Sequence, residues 1–173
     1  MIIIFIAGTV VLIFFTWVFS LKERRYHGIF RFFAFESILA LVLLNTEVWF
    51  KNLLSAHQII SWISLSLSLF LAIHGFYLLK KAGKPEDQIE NTTRLVTRGA
   101  YKYIRHPLYA SLIFGGIGIF VKNITAWTCG LVVLDILALY LTARVEEKEM
   151  IAKFGGEYRA YMTTTKMFIP FLV

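Results

Sequence analysis

Five long apolar runs divide the chain. The first covers residues 2–19 without interruption, and residues 30–50, 57–79, 107–121 and 125–143 follow, each set off by a polar or basic segment. A helix needs about 18–20 apolar residues to cross a hydrocarbon core. The pattern therefore predicts an all-α polytopic membrane protein with about five transmembrane helices, a polar loop before the fourth and a helical tail after the fifth. The third run is rich in serine (Ser61, Ser64, Ser66, Ser68) and the fourth carries Gly115, Gly116 and Gly118. Small residues of this kind let membrane helices approach closely. Residues 1–20 differ from a secretory leader in lacking a basic start and a small-residue cleavage site. They are taken as the first span, and residues 1–173 as a single membrane domain.

Basic residues set the expected orientation. Lys22, Arg24, Arg25 and Arg31 flank the first connection, the third is the most basic, and Arg144, Lys148, Lys153 and Arg159 lie in the tail. The second and fourth connections offer only Lys51 and Lys122. The positive-inside rule then puts the N-terminus outside, and the central loop and C-terminus in the cytoplasm. The net charge of +7 reads as this topology together with attraction to anionic lipid. Nucleic acid is not an expected partner, because no soluble face interleaves aromatic with basic residues. Cys129, the only cysteine, lies in an apolar run and is expected to be a small buried side chain. No zinc or iron–sulfur ligand spacing occurs, so no metal is expected.

Residues 95–110 concentrate the chemistry. They hold Arg98, Lys102, Arg105, three tyrosines, Gly99 and the His106-Pro107 pair, directly before the fourth apolar run. Pro107 suits the first turn of a helix, where its missing N–H has no partner to lose. His106 then stands at the cap, and the free N–H groups of that turn favour an anion. In the tail, Glu146 and Glu147 emerge from the fifth span. Such acidic residues commonly form a solvated face with i,i+4 pairs, as Glu149 and Lys153 would. The sharper reading is a carboxylate held beside the central loop to bind a cationic ligand group.

The loop residues Leu95-Val96, Gly99, Tyr101, Arg105-His106-Pro107 and Tyr109 precede a helical hairpin. After it come Arg144, Glu146-Glu147, Phe154-Gly155, Tyr158 and Tyr161. This arrangement resembles the isoprenylcysteine carboxyl methyltransferase family, which groups with membrane phospholipid methyltransferases. The motif-bearing part runs over residues 93–170. The resemblance implies methyl transfer from S-adenosyl-L-methionine to a lipophilic acceptor that enters from the bilayer, at a site facing the cytoplasm. Thr93, Arg94, Leu95 and Val96 would line the cofactor pocket, with Gly99 in the same motif. Tyr101 would pack on the cofactor, and His106, Pro107, Leu108 and Tyr109 would close over it. Glu146, with Glu147 beside it, would take the ammonium. Family members carry a substrate-contacting arginine shortly before this glutamate. Arg144 is the nearest candidate here, at a different spacing, and Arg105 is the second cation assigned to the reaction.

The residue chemistry agrees with this reading on its own terms. A carboxylate suits an ammonium, a helix N-terminus suits a carboxylate, and tyrosine faces suit an adenine or a sulfonium. The family's named reaction, carboxyl O-methylation of a prenylated cysteine, is the first expectation. A phospholipid amine, a quinol-like lipid or a small thiol are the alternative acceptors, and residues 83–91 are the expected selectivity segment. A competing class is a small ion-coupled transporter or assembly factor using Glu36 and Asp135, since ionisable residues within spans are functional by default. A nicotinamide-dependent membrane reductase is a third class, for which no cofactor-type arginine cluster is evident. Glu36, about a turn from the cytoplasmic end, is expected to pair with Arg31 or a loop cation. Asp135 has no assigned role.

Overall fold

The computed structural model describes residues 1–23, 25–84 and 92–172. Six α-helices occur among them: α1 (Ile2–Phe19), α2 (His27–Leu44), α3 (Ala56–Ala82), α4 (Pro107–Lys122), α5 (Ala126–Phe154) and α6 (Gly156–Thr164). No strand occurs among the described residues, and the chain is an all-α polytopic membrane protein. α1, α2, α3 and α5 are long and apolar enough to cross a membrane. The run at 107–121 appears as α4, whose sixteen residues rise only about 24 Å against a core of about 30 Å. Four helices rather than five thus meet the length of a full span.

Helix ends differ from the apolar runs where local chemistry intervenes. The second run was expected to continue to residue 50, but α2 stops at Leu44, where the Asn45 side chain donates to the Leu41 carbonyl at 2.8 Å. α5 runs on without a break from the apolar run into the tail, through Arg144 to Phe154. The first twenty residues of α5, Ala126 to Val145, rise about 30 Å, so Glu146 and Glu147 fall where the helix leaves the hydrocarbon. Gly155, at φ +58°, ends α5 in a conformation that favours glycine.

Packing joins two pairs of chain neighbours and one pair far apart in sequence. α3 packs chiefly on α4, and α2 chiefly on α5, with α1 laid against α2. The α3–α4 seam uses the small residues seen in the sequence. Ser61 Oγ donates to the Gly118 carbonyl at 2.6 Å, and Ser64 Oγ to the Phe114 carbonyl at 2.7 Å. α2 and α5 run antiparallel: His27 meets Glu149 at one end, while Leu41 and Val132 share a cluster toward the other. Beyond them, Lys122 Nζ donates to Gln58 Oε1 at 3.0 Å and sits 4.0 Å from the Trp62 ring, closing the end opposite the basic loop.

Two expectations change. Cys129 is exposed, because the outer face of a membrane helix is apolar without being buried in protein. Glu36 accepts from Thr9 of α1 rather than pairing with Arg31, whose guanidinium Nη2 donates to Ser20 Oγ at 2.7 Å. Within the expected selectivity segment, residues 85–91 lie outside the described residues.

A Cβ at Gly118 would lie 2.9 Å from Leu65 Cγ and 3.1 Å from the Ser61 carbonyl, whereas one at Gly130 meets nothing within 4 Å. Gly118→Ala should therefore destabilise the α3–α4 seam by about 1–3 kcal/mol, while Gly130→Ala should leave stability equal or raised. Thermal unfolding of the two variants in detergent compares them directly.

Candidate active site

The segment before α4 and the tail after α5 are stitched together at one end of the bundle. Backbone N–H groups of Arg105 and His106 donate to the carbonyls of Lys166 and Met167 at 2.8 and 3.1 Å, and Lys166 returns a bond to the Tyr103 carbonyl at 3.0 Å. The Tyr161 hydroxyl of α6 donates to the Tyr101 carbonyl at 2.6 Å. Arg105 extends the stitching into α5. Its Nε donates to Glu147 Oε1 at 2.7 Å, and its Nη1 to the carbonyls of Met162 and Thr165.

His106 occupies the cap position of α4 but makes no side-chain cap bond. Its ring lies between two carboxylates instead. Nδ1 is 3.6 Å from Glu146 Oε2, and Nε2 is 3.5 Å from Glu147 Oε1. Both are ion-pair contacts rather than close hydrogen bonds, and Nε2 has no better-aligned partner. The ring stacks on Tyr109, 5.4 Å between centroids and 18° between planes. Tyr109 also helps to hold the Glu146 carboxyl below its ordinary pKa. Burial disfavours the charged imidazole, but Glu146 and Glu147 outweigh it, and the His106 pKa stands above its ordinary value. Arg105, and His106 when protonated, thus face two carboxylates in one cluster.

A cavity of about 350 Å³ opens beside this cluster. Of the residues expected to form a site, Leu95, Val96, Tyr101, Arg105, His106, Leu108, Tyr109 and Glu146 line it. Thr93, Arg94, Gly99, Pro107, Glu147 and Arg144 do not. The Thr93 hydroxyl instead donates to the Lys84 carbonyl at 2.9 Å. Gly99 adopts φ +60° against Leu78 and His74. Pro107 is buried in the first turn of α4. Glu147, with a side chain 4% exposed, stands behind the wall bonded to Arg105. Arg144 is 53% exposed and 3.9 Å from Glu147, outside the cavity.

The wall also contains residues that motif reasoning missed. Phe15, Arg31 and Phe35 come from α1 and α2, and Tyr158 and Tyr161 from α6. Tyr158 and Tyr161 belong to the tail motif, so their spacing in the sequence was a usable signal. Arg31 carried one too: it is an arginine inside an apolar run, but its distance from the loop hid the meeting. Burial pushes the hydroxyl pKa of Tyr158, Tyr161 and Tyr101 upward, with Glu146 adding to the effect at Tyr158 and Tyr101. These phenols stay protonated and serve as donors and aromatic faces.

The class is thus a polytopic membrane protein with a mostly apolar cavity, walled on one side by a charged cluster where its helices leave the bilayer. The Isoprenylcysteine carboxyl methyltransferase (ICMT) family model matches residues 64–152, just over half of the chain. The chain belongs to that family. The match runs from within α3 to near the end of α5 and so takes in the loop and Glu146 but neither α1, α2 nor α6. Among curated proteins, a methanethiol S-methyltransferase of Crocosphaera subtropica (strain ATCC 51142 / BH68) is 27% identical over 117 residues, or 65% of this chain. The chain covers 44% of that relative's length. No solved structure matches.

The raised His106 pKa carries a consequence for stability. The ion pairs it makes stabilise the fold fully below the unfolded value near 6.5. That contribution is lost as pH rises through the higher folded value. Wild-type melting temperature should therefore fall as pH rises above about 6.5 by an increment that His106→Gln lacks, as scanning fluorimetry across that range would record.

Proposed function

We propose that the protein transfers a methyl group from S-adenosylmethionine to a lipophilic acceptor reaching the cavity from the bilayer. The observation that carries this is the Glu146 carboxylate, set beside Arg105 and His106 in the wall of a largely apolar and aromatic cavity at the loop–tail junction of a chain in this family.

The residues fit the cofactor's groups. Glu146 would hold the ammonium through a charge-assisted hydrogen bond, and its link to Tyr109 and His106 keeps it oriented. Tyr101, Tyr109 and Tyr158 offer aromatic faces to a purine or a sulfonium. Leu95, Val96 and Leu108 supply apolar contact. When bound, the cofactor supplies an electrophilic methyl on a positively charged sulfur. The protein's own part is alignment and exclusion of water. Arg105 braces the loop, α5 and the tail, and His106 holds Glu146 and Glu147 apart while balancing their charge.

At about 350 Å³ the cavity stands at the low end of the roughly 300–1,000 Å³ that accommodates one drug-sized ligand. The cofactor would leave room only for the reacting end of an acceptor, whose apolar remainder would lie in lipid. A carboxylate of the isoprenylcysteine type and a thiolate such as the relative's name describes both meet this condition. The basic loops favour a cytoplasmic position for the site and the C-terminus.

Calorimetric titration of the detergent-purified protein with S-adenosylhomocysteine tests the reading. Saturable binding that Glu146→Gln weakens about tenfold or more, the scale of one charged hydrogen bond, is expected. Folded wild-type protein that shows no binding would sink it.

A further inference from the structure

We propose that Arg31, seated by Ser20 and Gly28, is the specificity residue that receives the acceptor as an anion, so that lipophilic acids are accepted and amines refused. The proposal rests on the methyltransferase reading and adds to it where acceptor choice resides.

Four observations place Arg31 there. It lines the same cavity as Glu146, yet from α2 rather than from the loop or α5. It lies one turn beyond His27, whose ring meets Glu149. Because α2 and α5 run antiparallel, one turn forward on α2 corresponds to about one turn back on α5, which brings Arg31 level with residues 145–146. Arg31 is 5% exposed, its guanidinium carbon 6.0 Å from the Phe15 ring centre, with Phe35 lining the same region. An ionisable residue inside a span is costly to keep there and marks a pathway or a ligand.

The seat itself is built. Nη2 donates to Ser20 Oγ at 2.7 Å, and Ser20 is fully buried. Ser20 comes this close to α2 because residue 28 is glycine: a Cβ there would lie 2.2 Å from Ser20 Cβ. One face of the guanidinium fork is thus fixed by α1's end, and a guanidinium offers five donors in a rigid plane suited to a carboxylate or another soft anion.

The reaction's charge balance favours such an acceptor. The anion's lone pair forms the new bond to the methyl carbon as the carbon–sulfur bond breaks, its electrons passing to the sulfonium, which becomes a neutral thioether. A carboxylate needs no proton removed, whereas a thiol reacts as its thiolate, its proton having passed to water beforehand. The product is a neutral ester or thioether. It loses its attraction to Arg31 and partitions back into lipid. An amine acceptor would arrive as a cation beside Arg31 and be repelled. Arg31, Ser20 and Gly28 all lie outside the stretch shared with the family, residues 64–152. Acceptor choice therefore rides on α1 and α2, separately from the cofactor end.

The test uses three probes of different chemistry: N-acetyl-S-farnesylcysteine (a carboxylate), 1-hexanethiol and N-methyldecylamine. Wild-type protein should methylate at least one of the two acids and not the amine. Arg31→Gln should raise the KM for that acid about tenfold or more while S-adenosylhomocysteine affinity stays within about twofold, and Arg31→Lys should restore part of the loss. Ser20→Ala, which keeps the charge, should raise the same KM by a smaller factor. Titration with 5′-methylthioadenosine, which lacks the amino-acid part, separates the two sources of a bound carboxylate. If Arg31→Gln weakens S-adenosylhomocysteine tenfold but not 5′-methylthioadenosine, Arg31 holds the cofactor's carboxylate and the acceptor assignment falls. Unchanged acid kinetics in Arg31→Gln overturn it too, as does methylation of the amine, or of none of the probes, by wild-type protein that binds S-adenosylhomocysteine. Wild-type protein that binds neither nucleoside condemns the methyltransferase reading itself.

Discussion

The Arg105–Glu147 ion pair is the interaction on which this end of the molecule depends. At 2.7 Å and nearly buried on both sides, it joins the loop before α4 to α5, and the remaining donors of Arg105 reach the tail carbonyls. Breaking a buried pair by removing one partner costs about 3–5 kcal/mol, because the other charge is left uncompensated. The geometry explains why two adjacent glutamates divide the work. Glu147 faces inward to the brace, and Glu146, about 100° further round the helix, faces the cavity. His106 touches both, and its protonated form brings the cluster close to neutral.

That arrangement couples architecture to the proposed chemistry. α5 is long enough to cross the hydrocarbon and still present its last turns at the surface, so a carboxylate can stand at the rim of an apolar cavity with water near and lipid alongside. The tyrosines of α6 cover the same rim, fastened by the Tyr161–Tyr101 bond. A site of this kind can admit a polar cofactor from one direction and an apolar acceptor from the other. Its walls come from both halves of the chain. The loop, α5 and α6 carry the polar end, while α1 and α2 supply the aromatic wall around Arg31.

Much of this was legible in the sequence because it is local. The apolar runs located the membrane helices, and the His106-Pro107 pair located the start of α4. The spacing from that pair to Glu146 across a helical hairpin announced that loop and tail would meet. What stayed hidden depends on which helix packs on which. The α2–α5 pairing is not encoded in any short motif, so Arg31 looked like a topological charge rather than a wall residue. The rotational phase of α5 decided that Glu147, not Glu146, meets Arg105, and that Arg144 stays outside. Cys129 was misplaced for a physical reason of the same kind: in a membrane helix, apolar surroundings include lipid. α4 fills its apolar run, but a helix that begins at a proline and ends before Asn123 has only sixteen residues, too few to cross the hydrocarbon core.

The most direct test of the central claim is an experimental structure of the protein with S-adenosylhomocysteine bound. Density is expected in the cavity between Glu146 and the tyrosines of the loop and α6, with the ligand's amino group on the Glu146 carboxylate. Density at another site, or a bound ligand whose amino group is turned away from Glu146, would contradict it.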